Sequence, residues 1–377
     1  MPIKKCRVCQ QELFSEPLLQ YNNMPKSAQF LPDAVEVVTE MGADIEVCQC
    51  SGCGLVQLSN EPVFYYKEVI RATAVSAEMT TFRERQFKQW IDDYSLSGKK
   101  LIEIGCGAGE FMHIMQKNDV QILGLEQGKQ SVAKGIQQGL HIEQGFIEDK
   151  SVLEDGPFDA FYMLNFLEHL PNPNATLMKI GENLRDGAVG LVEVPNFDMI
   201  IRNNLFSEFI SDHLFYFTRD TFISTLNRNG FDVLECQEVW HEYSISAVVR
   251  KRERLDLSSF FVMQQTLKEE ICHYISQFSD NSVAIWGAGH QALAVMSLTE
   301  LKGKIKYVVD SAPFKQEKFT PATHIPIVAP EVLNQDPVEA IIVMAASFSD
   351  EVANIIRQNY SGINISILRE NGLDIAQ

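Results

Sequence analysis

Twice along this chain an apolar run breaks into a glycine turn, and a second apolar run that ends in an acid follows. Leu101-Ile-Glu-Ile-Gly-Cys-Gly-Ala-Gly109 leads to Ile122-Leu-Gly-Leu-Glu126, and Ser282-Val-Ala-Ile-Trp-Gly-Ala-Gly289 leads to Lys306-Tyr-Val-Val-Asp310. Glycines at a strand end allow a tight turn and let a ligand approach the backbone closely. An acid ending the next strand can accept hydrogen bonds from ribose hydroxyls. The pattern selects an α/β, Rossmann-like fold, and its repetition implies two such domains. With 377 residues there is room for two or three domains.

The first instance is the more informative. G-x-G-x-G alone also fits a dinucleotide site, but here Glu103 precedes Gly105, Gly107 and Gly109. The E-x-G-x-G-x-G form resembles the first motif of class I methyltransferases, which bind S-adenosylmethionine, and Glu126 falls where the ribose would be held. Phe158-Asp-Ala-Phe-Tyr-Met-Leu-Asn165 reads as the fourth strand of that fold, shortly before Glu168-His169-Leu170. Gly190-Leu-Val-Glu-Val-Pro-Asn196 fits the fifth strand. Gly145-Phe-Ile-Glu148 is a candidate to hold adenine, with Phe146 equally readable as core.

Ahead of this domain stand Cys6-Arg-Val-Cys9 and Cys50-Ser-Gly-Cys53. Two residues between cysteines turn both thiolates onto one ion, and two such knuckles complete a tetrahedral zinc site. Four thiolates leave no open position, so the zinc is expected to be structural. Cys48 is a spare thiol.

Eight cysteines without an apolar leader point to reduced thiols and a cytoplasmic protein. No apolar run is long enough to span a membrane. A formal net charge of -18 argues against a nucleic-acid partner, because phosphate binding is driven by Lys and Arg. A monomer or small homo-oligomer acting on a small molecule is expected. The parts are a Cys-rich head at 1–75, a methyl-donor domain at 76–255, and a tail at 256–377 that opens with a long amphipathic helix.

Across nearly its whole length the chain resembles the three-domain sugar C-methyltransferases that act on nucleotide-linked ketosugars. The resemblance rests on both Cys knuckles, Asn23-Met-Pro-Lys-Ser-Ala-Gln-Phe30, Glu103–Gly109, Glu168-His169, and Asp212-His-Leu-Phe-Tyr-Phe-Thr218. In the tail it rests on Val308–Lys315 and Pro321-Ala-Thr-His-Ile-Pro-Ile327. It implies that His213 is the base that generates an enolate beside the sugar ketone, with Asp212 and His169 orienting it or stabilising the oxyanion. It also implies a substrate-facing segment after the head. There Tyr65 and Tyr66 are retained, but the family's Tyr- and Ser-rich stretch is replaced by Val69-Ile-Arg-Ala-Thr-Ala-Val-Ser76. Arg71 instead offers a donor for phosphate or carboxylate. The family's Glu is Asp212 here, and a frequent Tyr is Ile210. An O- or N-methyltransferase on another small anionic acceptor is the alternative, and a ligand sensor or scaffold is a third reading.

The tail motif lacks the third glycine of the dinucleotide fingerprint, since Gly289 is followed by His290, Gln291 and Ala292. NAD is therefore not expected there. The resemblance suggests a domain that helps enclose the substrate, with His290 on its phosphate end; a packing domain without a ligand is the other reading.

Overall fold

The computed structural model describes residues 2–27, 29, 31–68, 75–150, 152–153 and 155–376. The chain forms two compact units, Met1–Glu253 and Arg254–Gln377.

The first unit is built on a seven-stranded sheet. In chain order its strands are β1 (Lys100–Ile104), β2 (Gln121–Glu126), β3 (Ile142–Gln144), β4 (Phe158–Leu164), β5 (Leu184–Pro195), β6 (Phe231–Val239) and β7 (Ser244–Lys251). Their spatial order is β6-β7-β5-β4-β1-β2-β3. β1 to β5 run parallel, while β7 lies antiparallel to both β5 and β6. The order reverses at β1, which opens the crevice at the strand carboxyl ends where α/β sheets bind ligands. Strands buried on both faces need continuous apolar runs, and Phe161, Met163, Val192 and Val194 supply one face. Phe161 lies opposite Gly190 across β4 and β5, and a Cβ on Gly190 would sit 2.0 Å from its ring. The missing side chain is what admits the aromatic ring.

Helix Ala77–Asp93 covers the other face. Ser76 caps it by accepting the amide of Met79 at 3.1 Å, and Phe87, Trp90 and Ile91 form its buried stripe. Each such buried side chain contributes about 1.5–3 kcal/mol.

Before this domain, Leu19–Met24, Ala43–Gln49 and Val56–Leu58 form an antiparallel sheet whose fourth strand is Phe215–Tyr216. Cys6, Val8, Cys50 and Leu55 share one apolar core with Phe146, Leu167 and Phe215. The head and the donor domain are thus one packed body.

The second unit repeats the design. Val283–Trp286 is central, with parallel neighbours Val308–Val309 and Ala340–Val343. The amphipathic helix Ser258–Ile275 and helix His290–Leu298 contribute Ile271, Tyr274, Ala292 and Met296 to its core.

Candidate functional site

β1 ends at the glycine turn. Gly105, Gly107 and Gly109 all have positive φ, at 72°, 57° and 87°. Side chains are excluded twice over: a Cβ on Gly105 would lie 2.8 Å from the Phe166 ring, and one on Gly109 would lie 2.0 Å from Leu140. Glu126, at the end of β2, is buried and accepts the amides of Gly107 at 3.0 Å and Gly128 at 2.7 Å. Burial raises its pKa above the ordinary carboxylate value, against the pull of these amides. Each oxygen keeps a further lone pair for a ribose hydroxyl. Glu103 is buried on the helix Ala77–Asp93 face, where Tyr162 donates its hydroxyl to it at 2.8 Å.

A recess beside the turn is lined by Gly105, Glu126, Gln127, Phe146, Phe166 and Lys67. Phe146 is both core and lining. Its ring meets Tyr66 edge-on at 6.2 Å and lies 4.5 Å from the Lys67 ammonium, which is itself held 2.8 Å from Asp149. Asn165, exposed at the end of β4 with φ at 50°, donates its amide to the Glu193 carbonyl. The arrangement fits S-adenosylmethionine: an acid for ribose, an apolar and aromatic wall for adenine, and a turn that no Cβ obstructs.

Next to Phe166 stands a second cluster. His169 is buried, with Nδ1 2.8 Å from the carbonyl oxygen of Asp212. A carbonyl only accepts, so Nδ1 carries the hydrogen and Nε2 presents a lone pair. The His213 ring lies edge-on at 4.8 Å. The Asp212 carboxylate points elsewhere and accepts the Tyr65 hydroxyl at 2.6 Å, while Ser27 donates to that hydroxyl at 3.0 Å. Burial, then the nearby His169, depresses His213 to about 3. Burial also lowers His169.

Sequence reasoning gave no role to three side chains here. Lys67 carries no motif. Glu168 is buried beside His169, and burial pushes it up to about 8. Arg83 pairs with Glu193 at 2.6 Å, both buried, and Gln86 donates to the same carboxylate at 2.5 Å. Arg83 interrupts the apolar stripe of Phe87 and Trp90, and a charge in that place is the signal that could have exposed it. Arg71 lies outside the described residues.

In the head, Cys6 and Cys53 sulfurs are 3.7 Å apart, and those of Cys9 and Cys50 3.3 Å. A tetrahedral ion with bonds of about 2.3 Å needs edges of about 3.8 Å. Amides of Val8 and Cys9 point at the Cys6 sulfur, and those of Gly52 and Cys53 at the Cys50 sulfur, as thiolates require. The four residues fit zinc. Cys48, with its sulfur outside this group, is buried in strand Ala43–Gln49.

In the second unit, Asp310 accepts the amides of Ala288 and Ala312 and the ammonium of Lys315, at 2.8, 2.9 and 2.8 Å. The Asp310 carboxylate is thus engaged by the chain's own amides and ammonium. His290 is exposed at the start of its helix.

Residues 79–236 match a methyltransferase domain, and residues 251–363 match a C-methyltransferase C-terminal domain. A ubiquinone biosynthesis O-methyltransferase of Stutzerimonas stutzeri (strain A1501) is 35% identical, over 26% of this chain and 53% of that protein. One of Pseudomonas fluorescens (strain SBW25) is 29% identical, over 25% and 48%. The chain spans about half the length of these curated relatives. An S-adenosylmethionine-dependent methyltransferase from Clostridium acetobutylicum ATCC 824 superposes with a TM-score of 0.39 at 10% identity, covering 50% of this chain and 96% of that one. Among the described residues no helix is long and apolar enough to cross a membrane. With the motif, the strand order and the two domain matches together, the chain carries an S-adenosylmethionine-dependent methyltransferase domain of class I Rossmann-like fold, joined to a C-methyltransferase C-terminal domain.

Proposed function

We propose that the protein methylates a carbon beside a ketone on a small anionic acceptor, a nucleotide-linked ketosugar or a metabolite of that kind. The observation that carries this reading is the His213 imidazole, packed edge-on against His169, whose backbone amide bonds the carbonyl of Phe166 in the recess wall. Bound S-adenosylmethionine supplies an electrophilic methyl group. Glu103, Gly105, Gly107, Gly109, Glu126 and Asn165 hold the donor. His213 takes the proton beside the ketone, and the enolate left behind would be the nucleophile for the electrophilic methyl group that the donor supplies. His169, its Nδ1 tied to the Asp212 carbonyl, fixes the rings and faces the developing charge. Tyr65 sets Asp212, and Tyr66 and Arg71 are assigned to the acceptor side. Cys6, Cys9, Cys50 and Cys53 would hold a zinc ion, which would fix the shape of the head.

The test uses donor carrying a 13C-methyl group, a panel of nucleotide sugars, and NMR of the product. A new carbon–carbon bond, lost in a folded His213→Gln variant, supports the reading. A methyl on oxygen supports the second reading, O-methylation, which the names of the two O-methyltransferase relatives favour. Full transfer by His213→Gln removes the base assignment.

A further inference from the structure

Glu168 is 1% exposed, in the turn that also carries His169. Its Oε1 lies 3.8 Å from His169 Nε2, and its Oε2 is buried with no hydrogen-bond partner among the described residues. Ligand-type atoms of Glu168, His169 and His213 all lie within 4.8 Å of one another. The charged and titratable neighbours are few. Asp212 is engaged by Tyr65, and among the described residues no Lys or Arg pairs with Glu168. A bare carboxylate without a donor is strongly disfavoured in such a place. Two imidazoles with a lone pair facing a carboxyl group therefore share a site that is short of one positive charge, whether supplied by a proton or by a metal ion.

We propose that Glu168 is the proton-holding residue of this site: it carries a proton at rest, releases it when His213 becomes charged, and afterwards takes the proton back from His213. The inference rests on His213 as the base and extends that reading. At rest the trio is neutral, with Glu168 as the acid and both imidazoles uncharged. When the acceptor C–H bond breaks, its proton goes to His213 and its electron pair stays on carbon. The new cation lowers the cost of ionising Glu168, whose proton leaves to water past the partly exposed His213. Carboxylate and imidazolium then offset one another. The carbon pair forms the bond to the methyl group, and the His213 proton passes to Glu168. One turnover thus breaks one C–H bond and the donor's methyl–sulfur bond, whose electron pair stays on sulfur, forms one C–C bond and releases one proton. A depressed histidine is a weak base by itself, and the adjacent acid is what allows it to hold a charge during the reaction.

The test needs neither acceptor nor turnover, so it stands apart from the question of which atom is methylated. Protein labelled with 13C at glutamate carboxyls and 15N in histidine rings is followed by NMR from pH 5 to 10. One carboxyl signal is expected to titrate near pH 8, to be absent from Glu168→Gln, and to move the ring signals of His169 and His213 with it. Titration of that carboxyl with ordinary glutamates below pH 5.5, or ring signals indifferent to it, overturns the proposal. So does metal analysis showing a second ion per chain that is lost in Glu168→Gln, since the trio is then a cation site. Should that variant not fold, His213→Gln serves. Removing a neighbour whose ring atoms lie within 4.8 Å should move the titration of the same carboxyl, and no shift overturns the proposal.

Discussion

The Tyr65 hydroxyl donates to the Asp212 carboxylate across 2.6 Å, from a residue of the head to the residue beside His213. Replacing Tyr65 with Phe removes the donor and keeps the ring. A lost bond to a buried charged group costs about 1.5–3 kcal/mol. Tyr65→Phe should therefore lower the melting temperature of the first unit by several degrees and slow turnover more than it weakens donor binding. Calorimetry and S-adenosylhomocysteine titration check this, and equal losses in both would place Tyr65 in the donor site instead.

The donor site makes a sharper claim. Glu126→Gln should weaken S-adenosylhomocysteine binding by about 10–100-fold, the range for losing hydrogen bonds to a charged acceptor. Lys67→Met, removing the cation over the Phe146 ring, should cost about 3–5-fold if the ammonium contributes as an exposed cation does over an aromatic face. Calorimetric titration reads both. An unchanged affinity in Lys67→Met would mean that Lys67 serves only its pair with Asp149.

How much of this was legible in the sequence depended on distance along the chain. The donor turn was readable because Glu103 to Gly109 and Glu126 are short, local signals tied to strand ends. The grouping of the four cysteines was readable because a thiolate pair needs only a fixed spacing. The histidine site was not readable from spacing: Tyr65, Glu168 and His213 come from three distant segments, and only the family resemblance picked out His213. Nor was the head's fourth strand. Val56 pairs with Tyr216 through a two-residue strand that no periodicity announces. Arg83 and Glu193 satisfy each other across separate elements, and neither residue names its partner in sequence.

Metal removal should be felt beyond the head. Cys6, Cys50 and Leu55 lie in the same core as Leu167 and Phe215. Stripping one zinc per chain should lower the melting temperature of the first unit by about 10 °C or more, as structural zinc sites contribute directly to folding. Metal analysis and calorimetry with and without a chelator check it. An identical melt without metal would make the four cysteines a mere packing cluster.

Two glycines of the second unit separate backbone strain from close approach. Gly287 has φ at 121°, and a Cβ there would lie 2.5 Å from the Met344 carbonyl oxygen; Gly303 has φ at 77° and open space around it. Gly303→Ala should cost about 1–2 kcal/mol from the left-handed backbone alone. Gly287→Ala adds an overlap with main chain that cannot rotate away and should cost about 3 kcal/mol or more. Denaturant unfolding of the two variants gives the ranking, and equal losses would contradict the close approach at Gly287.

Stability should depend on pH through Glu168 and His213, in opposite directions. His213 is depressed to about 3 in the folded protein, so the unfolded chain binds its proton first as pH falls. Its contribution is full above about 6.5 and is lost progressively toward pH 3. Glu168 is raised to about 8, so the folded protein binds the extra proton. Its contribution is full below about 4.3 and is lost as pH rises through 8. Between pH 6.5 and 8.5 the histidine no longer contributes a slope, and Glu168 does. The wild type should lose on the order of 1–2 kcal/mol across that interval through this group. Glu168→Gln, which keeps the shape and cannot ionise, should lose that much less. Denaturant unfolding at pH 6.5 and 8.5 measures the difference between the two slopes. Parallel slopes would mean that Glu168 is already ionised at pH 6.5, and with that the resting proton assigned to it would be gone.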